Sequence, residues 1–111
     1  MSIIVSSTME KGASTTLNAW KKVFQGGEHG TRCEAAIRAY AGNNASYPIW
    51  VAIRSRGGSA PSSPAVESDA MYAIYPGDTL NIGSGGEYRV DIYIATSNGS
   101  VQTYSAWESV P

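Results

Sequence analysis

Along much of the chain apolar and polar residues alternate with a period of two, the mark of strands with one buried face. In "RCEAAIRAY" Cys33, Ala35, Ile37 and Ala39 share one face, and Arg32, Glu34, Arg38 and Tyr40 the other. "PIWVAIR" turns Ile49, Val51 and Ile53 inward and leaves Trp50 outward or against a second layer. "AMYAIY" and "TLNI" read as two short strands around Tyr75-Pro76-Gly77-Asp78. "YRVDIYIATSNGSVQTYSAW" predicts a hairpin at Asn98-Gly99, the pair that best fits a two-residue type I′ turn. A turn from Ser97 to Ser100 sets Val90, Ile92, Ile94 and Thr96 on the same side as Val101, Thr103, Ser105 and Trp107. Tyr93 then lies across from Tyr104 on the opposite face, near Arg89 and Asp91. At the front, "IIVSS" and "TTLNAWKKVF" read as strands. The second also fits helical spacing at Leu17, Trp20, Val23 and Phe24, but Thr15-Thr16 favours a strand.

"SRGGSAPSSPAVES", with its prolines, glycines and serines, reads as a long surface loop, and "GSGGE" as another. Seven to eight short strands separated by Gly, Pro and Asn turns predict an all-β fold, an antiparallel β-sandwich or small barrel. A length of 111 residues suits one domain. Residues 13–111 are assigned to it, with residues 1–12 set apart as an N-terminal arm, because β-prone "SIIVSS" is separated from the rest by Gly12. Such an arm would add a strand to a neighbour's open sheet edge.

Composition narrows the partners. The formal net charge of −1 offers no electrostatic reason to expect nucleic acid or an acidic membrane. Only 15% of residues are charged, and Ser, Thr, Asn, Gly and Tyr occupy polar positions instead. Such a surface is covered by a partner at little desolvation cost. No run approaches the ~18 apolar residues of a transmembrane helix. The apolar run in "MSIIVSST" is too short for a signal peptide, so the expectation is a protein made in a cytoplasm. "NAS" at Asn44 and "NGS" at Asn98 match the glycosylation triplet and are read as chance.

Candidate chemistry is sparse. His29 and Cys33 are the single residues of their kinds, so an internal disulfide is ruled out and a structural zinc site lacks ligands. A nucleophile–base pair is conceivable, but Cys33 falls on the core face of its strand, where cysteine behaves as a small hydrophobe. Glu67 and Asp69 could contribute to a calcium site or simply be solvated. No pair of carboxylates sits on a recognisable glycosidase or other catalytic pattern. "WKK", Trp20-Lys21-Lys22, is too little for a nucleic-acid groove. The expectation is therefore no catalytic residue, no metal and no cofactor. Binding potential rests on the aromatics: Trp20, Trp50, Tyr47, Tyr72, Tyr93 and Tyr104 are the candidate contact residues, with Trp107 assigned to the core. Tyr and Trp dominate contact energies at protein interfaces, and they line sugar-binding grooves as well.

Pro76 suits position i+1 of a type II turn and Gly77 position i+2, where φ is positive. Asp78 at i+3 is expected to accept backbone N–H bonds through its carboxylate. Pro76, Gly77, Asp78, Asn98 and Gly99 are thus read as turn residues.

"AIRAYAGNNASYPIWVAIRS" followed by "MYAIYPGDTLNIGSGGEYRVDIYIATSNGSVQTY" resembles the small β-sandwich virion proteins of tailed bacteriophages. The resemblance covers residues 32–104. It lies in the Asn43-Asn44 turn, Pro48-Ile49-Trp50-Val51, Pro76 to Ile82, and Ile92-Tyr93-Ile94-Ala95-Thr96. It implies a non-enzymatic role in the virion, most simply as a capsid decoration (cement) protein. The partner would be the major capsid protein or another virion protein, and the chain a dimer or trimer. A neck or tail component and a carbohydrate- or receptor-binding module are the alternatives.

Overall fold

The computed structural model describes residues 6–15, 19–23, 34–55, 58–62, 64–82, 90–96 and 101–110. They form eight strands: β1 (Ser6–Ser14), β2 (Lys21–Lys22), β3 (Glu34–Ala39), β4 (Ile49–Ser55), β5 (Tyr72–Ile74), β6 (Thr79–Ile82), β7 (Val90–Ala95) and β8 (Thr103–Val110). A short 3-10 turn, Glu67–Asp69, precedes β5. Two four-stranded sheets have the orders β1-β8-β3-β6 and β2-β7-β4-β5, and every pairing is antiparallel. The all-β sandwich expected from the alternation is the fold.

The wiring has a simple logic. β1 pairs with β8, β2 with β7, β3 with β6 and β4 with β5, as if one long hairpin bent at the β4–β5 connection had been rolled up. The lateral pairs β3–β8 and β4–β7 close the roll into two sheets. This is the jelly-roll arrangement of an eight-stranded sandwich. In it β4 and β5 are sequence neighbours that pair, whereas β7 and β8 lie in opposite sheets.

That wiring corrects the hairpin. β7 pairs with β2 and β4, and β8 with β1 and β3, so Tyr93 and Tyr104 are not cross-strand partners. Asn98 and Gly99 themselves lie outside the described residues. The facing of β8 is also one residue out of phase with the expectation. Gln102, Tyr104 and Ala106 are buried, while Val101 is exposed and Thr103, Ser105 and Trp107 are half-buried. A one-residue slip exchanges the two faces of a strand.

The core lies between the sheets. β3 supplies Ala35, Ile37 and Ala39; β8 supplies Tyr104 and Ala106; β6 supplies Ile82. Opposite them stand Ile49 and Val51 of β4, Ile74 of β5, and Ile92 and Ile94 of β7. The expected inward faces of β3 and β4 are thus observed wherever described; Cys33 and His29 lie outside the described residues. Tyr104 is level with Ala39 on β3, and that small neighbour leaves room for its ring to point into the core. Residues 91–96 are all buried, so β7 has no wet face. Asp91 is held there by Lys22, with 3.6 Å between Nζ and the carboxylate.

The segment set apart as an arm is, from Ser6 onward, strand β1 on β8 of the same chain. Between Glu10 and Ala13 the register shifts by one residue, a β-bulge, and Gly12 there has φ 65°. Gly12 therefore serves to kink an edge strand.

Candidate functional site

The residues with the freest reach lie at one margin of the sandwich. β5 ends one sheet and β6 ends the other, and Tyr75-Pro76-Gly77-Asp78 arches between them. The arch is the expected turn. Gly77 has φ 83°, and the Asp78 N–H donates to the Tyr75 carbonyl at 2.9 Å. It is clamped to the end of β3: the Gly77 N–H donates to the Ala39 carbonyl, and the Ala39 N–H donates to the Asp78 carbonyl. The Asp78 carboxylate makes no hydrogen bond to the next strand; the residue is exposed and its main chain does the holding. We expect Gly77→Val to destabilise the fold by about 1–3 kcal/mol through backbone strain, because a Cβ at Gly77 meets open space and the penalty is conformational. Asp78→Asn should change stability by less than about 0.5 kcal/mol. Urea denaturation of the two variants checks the order.

This margin is open in two senses. Met71 is 57% exposed, Tyr72 45% and Tyr75 49%. Tyr40, directly after the β3 residue that holds the arch, is exposed as well, and its ring lies over Gly42. Between β5 and β6 a cleft of about 210 Å³ is lined by Tyr72, Ala73, Ile74, Asp78, Thr79 and Leu80. Secondly, among the described strands β6 has a neighbour on one side only. Ala39 bonds Asp78, so alternation assigns Leu80 and Ile82 to bonds with β3 and turns the main-chain groups of Thr79 and Asn81 to the open side. Exposed edges are what sandwiches must either protect or use.

The expected contact residues divide. Tyr72 is at the margin. Tyr93 and Tyr104 are buried, Tyr104 completely, with the Lys21 ammonium 5.3 Å from its ring centroid. Tyr47 is half-buried, and its main chain closes a turn on Asn44. Trp20 and Trp50 are half-buried, and each indole Nε1 is buried without an acceptor. A buried donor left unmade costs about 1–3 kcal/mol. Lys21 and Lys22 of the "WKK" run are turned to Tyr104 and the Ser14 carbonyl, and to Asp91. Met71, Tyr75 and Tyr40 were outside the expected set. For Met71 and Tyr75 the signal was the brevity of "MYAIY": only Ile74 in it faces inward.

A second surface lies on the outer face of the β1-β8-β3-β6 sheet. Trp107, Ala36, Arg38, Ser105 and Ala106 line a shallow depression of about 150 Å³. Trp107, assigned to the core from sequence, is half-buried here and level with Ala36. Glu67 and Asp69 sit on the 3-10 turn before β5, and no group of three metal-ligating side chains occurs among the described residues. No described helix is long and apolar enough to cross a membrane. Compared with protein families, characterised proteins and solved structures, the chain matches none.

Proposed function

We propose that the chain is a virion structural protein of the tailed-bacteriophage kind, most simply a capsid decoration protein that docks through the β5–β6 margin. The observation that carries this reading is the coincidence, at the β5–β6 margin, of exposed Met71, Tyr72 and Tyr75 with β6 main chain that no described strand pairs. Tyrosine and methionine are enriched at interfaces and charge is depleted there. Eight-stranded jelly rolls recur among viral capsid and lectin domains, an analogy of fold that supports the reading without deciding it. The resemblance over residues 32–104 points the same way. Binding would stabilise the shell by mass action, because the decorated state is favoured by every bound copy. Co-sedimentation with assembled phage capsids tests the reading: it predicts saturable binding.

A second reading, a carbohydrate-binding module, is favoured by Trp107 beside Ala36, a flat ring flanked by small residues and Arg38. On that reading a glycan array shows binding that Trp107→Ala abolishes. Glycan binding that survives Trp107→Ala, or none at all, rejects it.

A further inference from the structure

We infer that the β5–β6 margin takes its partner as an added β-strand, and that the partner segment is extended and basic. This specifies how the docking surface proposed above is engaged and rests on that reading. Thr79 and Asn81 turn their N–H and C=O groups away from β3, and no described strand meets them. An extended polypeptide presents donors and acceptors at the matching spacing. The cleft beside the edge, lined by Tyr72, Ala73 and Leu80, gives alternate side chains of such a strand a place to enter.

Charge selects the partner. The margin is bracketed by carboxylates, Glu67 and Asp69 before β5 and Asp78 at the arch, and none of them carries an ion pair. Arg38, across from Thr79, is the described cation nearest in register, and it lines the depression on the sheet's outer face. A second copy pairing edge to edge would bring like charges together. A segment carrying Lys or Arg beside apolar residues meets opposite charge in these carboxylates and the mixed polar and apolar lining of the Tyr72–Leu80 cleft.

The test uses two capped peptides at millimolar concentration, one alternating lysine and valine, the other glutamate and valine. Amide hydrogen exchange of the folded protein is read residue by residue. The lysine peptide should slow exchange at Thr79 and Asn81 by about tenfold, equivalent to ~1.4 kcal/mol, with the protection fading as salt rises. The glutamate peptide should leave both amides unchanged. Asn81→Pro should abolish the protection, since it removes an outward donor. Asp69→Lys with Asp78→Lys should do so by reversing charge, even if the proline variant folds poorly. Absence of protection, or equal protection by both peptides, overturns the inference. If the peptides fail while capsid binding still depends on Tyr72, strand addition is wrong and the docking reading stands. If the lysine peptide protects the edge but capsids are not bound, strand addition is supported and the capsid reading falls.

Discussion

Tyr104→Ala should lose about 3–5 kcal/mol of stability, the range for emptying a large aromatic site in a core. Tyr104 is fully buried, level with Ala39 and part of the cluster that joins the two sheets. Neither neighbour on β3 that faces the core beside it, Ile37 or Ala39, is bulky enough to collapse into the space an aromatic ring vacates. Total stability for a domain of this size is commonly about 5–15 kcal/mol, so the variant should be severely weakened. Thermal denaturation followed by far-UV circular dichroism measures it. A loss below about 0.5 kcal/mol, the usual value for an exposed site, would place Tyr104 on the surface.

Gln102→Ala should cost about 3 kcal/mol, an unusual value for replacing a glutamine and the result of its hydrogen bonds. Gln102 is buried, and its Nε2 donates at 2.6 Å to the carbonyls of both Asn44 and Tyr47. Its Oε1 accepts from the Asn44 N–H at 3.3 Å. Its main chain is tied to Thr15, donating to Oγ1 at 2.9 Å and accepting from the Thr15 N–H at 2.8 Å. Beside it Asn43 imitates a strand: its side-chain amide donates to the Thr103 carbonyl and accepts from the Thr103 N–H. Truncating Gln102 leaves the Tyr47 carbonyl and the Asn44 N–H of the 43–47 turn without their partner, and leaves the Asn44 carbonyl with the Tyr47 N–H alone. Urea denaturation should show a lowered midpoint, with Gln102→Glu nearly as damaging because a carboxylate cannot donate to those carbonyls. A midpoint within error of the wild type would mean the turn holds itself.

These two residues also mark where sequence reasoning stopped. Alternation located β3 and β4 and their inward faces, because Ile37, Ile49, Val51 and Ile53 fall on one side and the charges of Arg38 and Arg54 on the other. It also located β6 and the Pro76-Gly77 turn, whose chemistry is local. On β8 the expected phase followed from a two-residue turn at Asn98-Gly99, which set Val101 and Trp107 on the core side. The buried phase is instead Gln102, Tyr104 and Ala106, with Gln102 made interior by hydrogen bonds rather than by hydrophobicity. Asn98-Gly99 is the strongest local hairpin signal in the chain, and the wiring sends its flanking strands to opposite sheets. Long-range pairing, β1 with β8 and β2 with β7, overrode it, and no short window of sequence contains that information. β1 itself, "SSTMEKGAS", has no apolar alternation and forms by adding to β8. The candidate site was half legible: Tyr72 was in view, but that it stands at a free edge with Met71 and Tyr75 depends on which strands end the sheets.

This edge is proposed as the docking surface. The most direct measurement is occupancy of purified protein on assembled phage capsids, compared between wild type and the Tyr72→Ala, Tyr75→Ala double variant. Both side chains are about half exposed and make no contribution to the core cluster, so the variant should retain the wild-type melting temperature. Wild-type binding should be saturable, with Kd at least about tenfold higher for the variant, since losing aromatic anchors at an interface costs more than ~1 kcal/mol each. Equal occupancy of both proteins, or no binding by the wild type, would contradict the proposal.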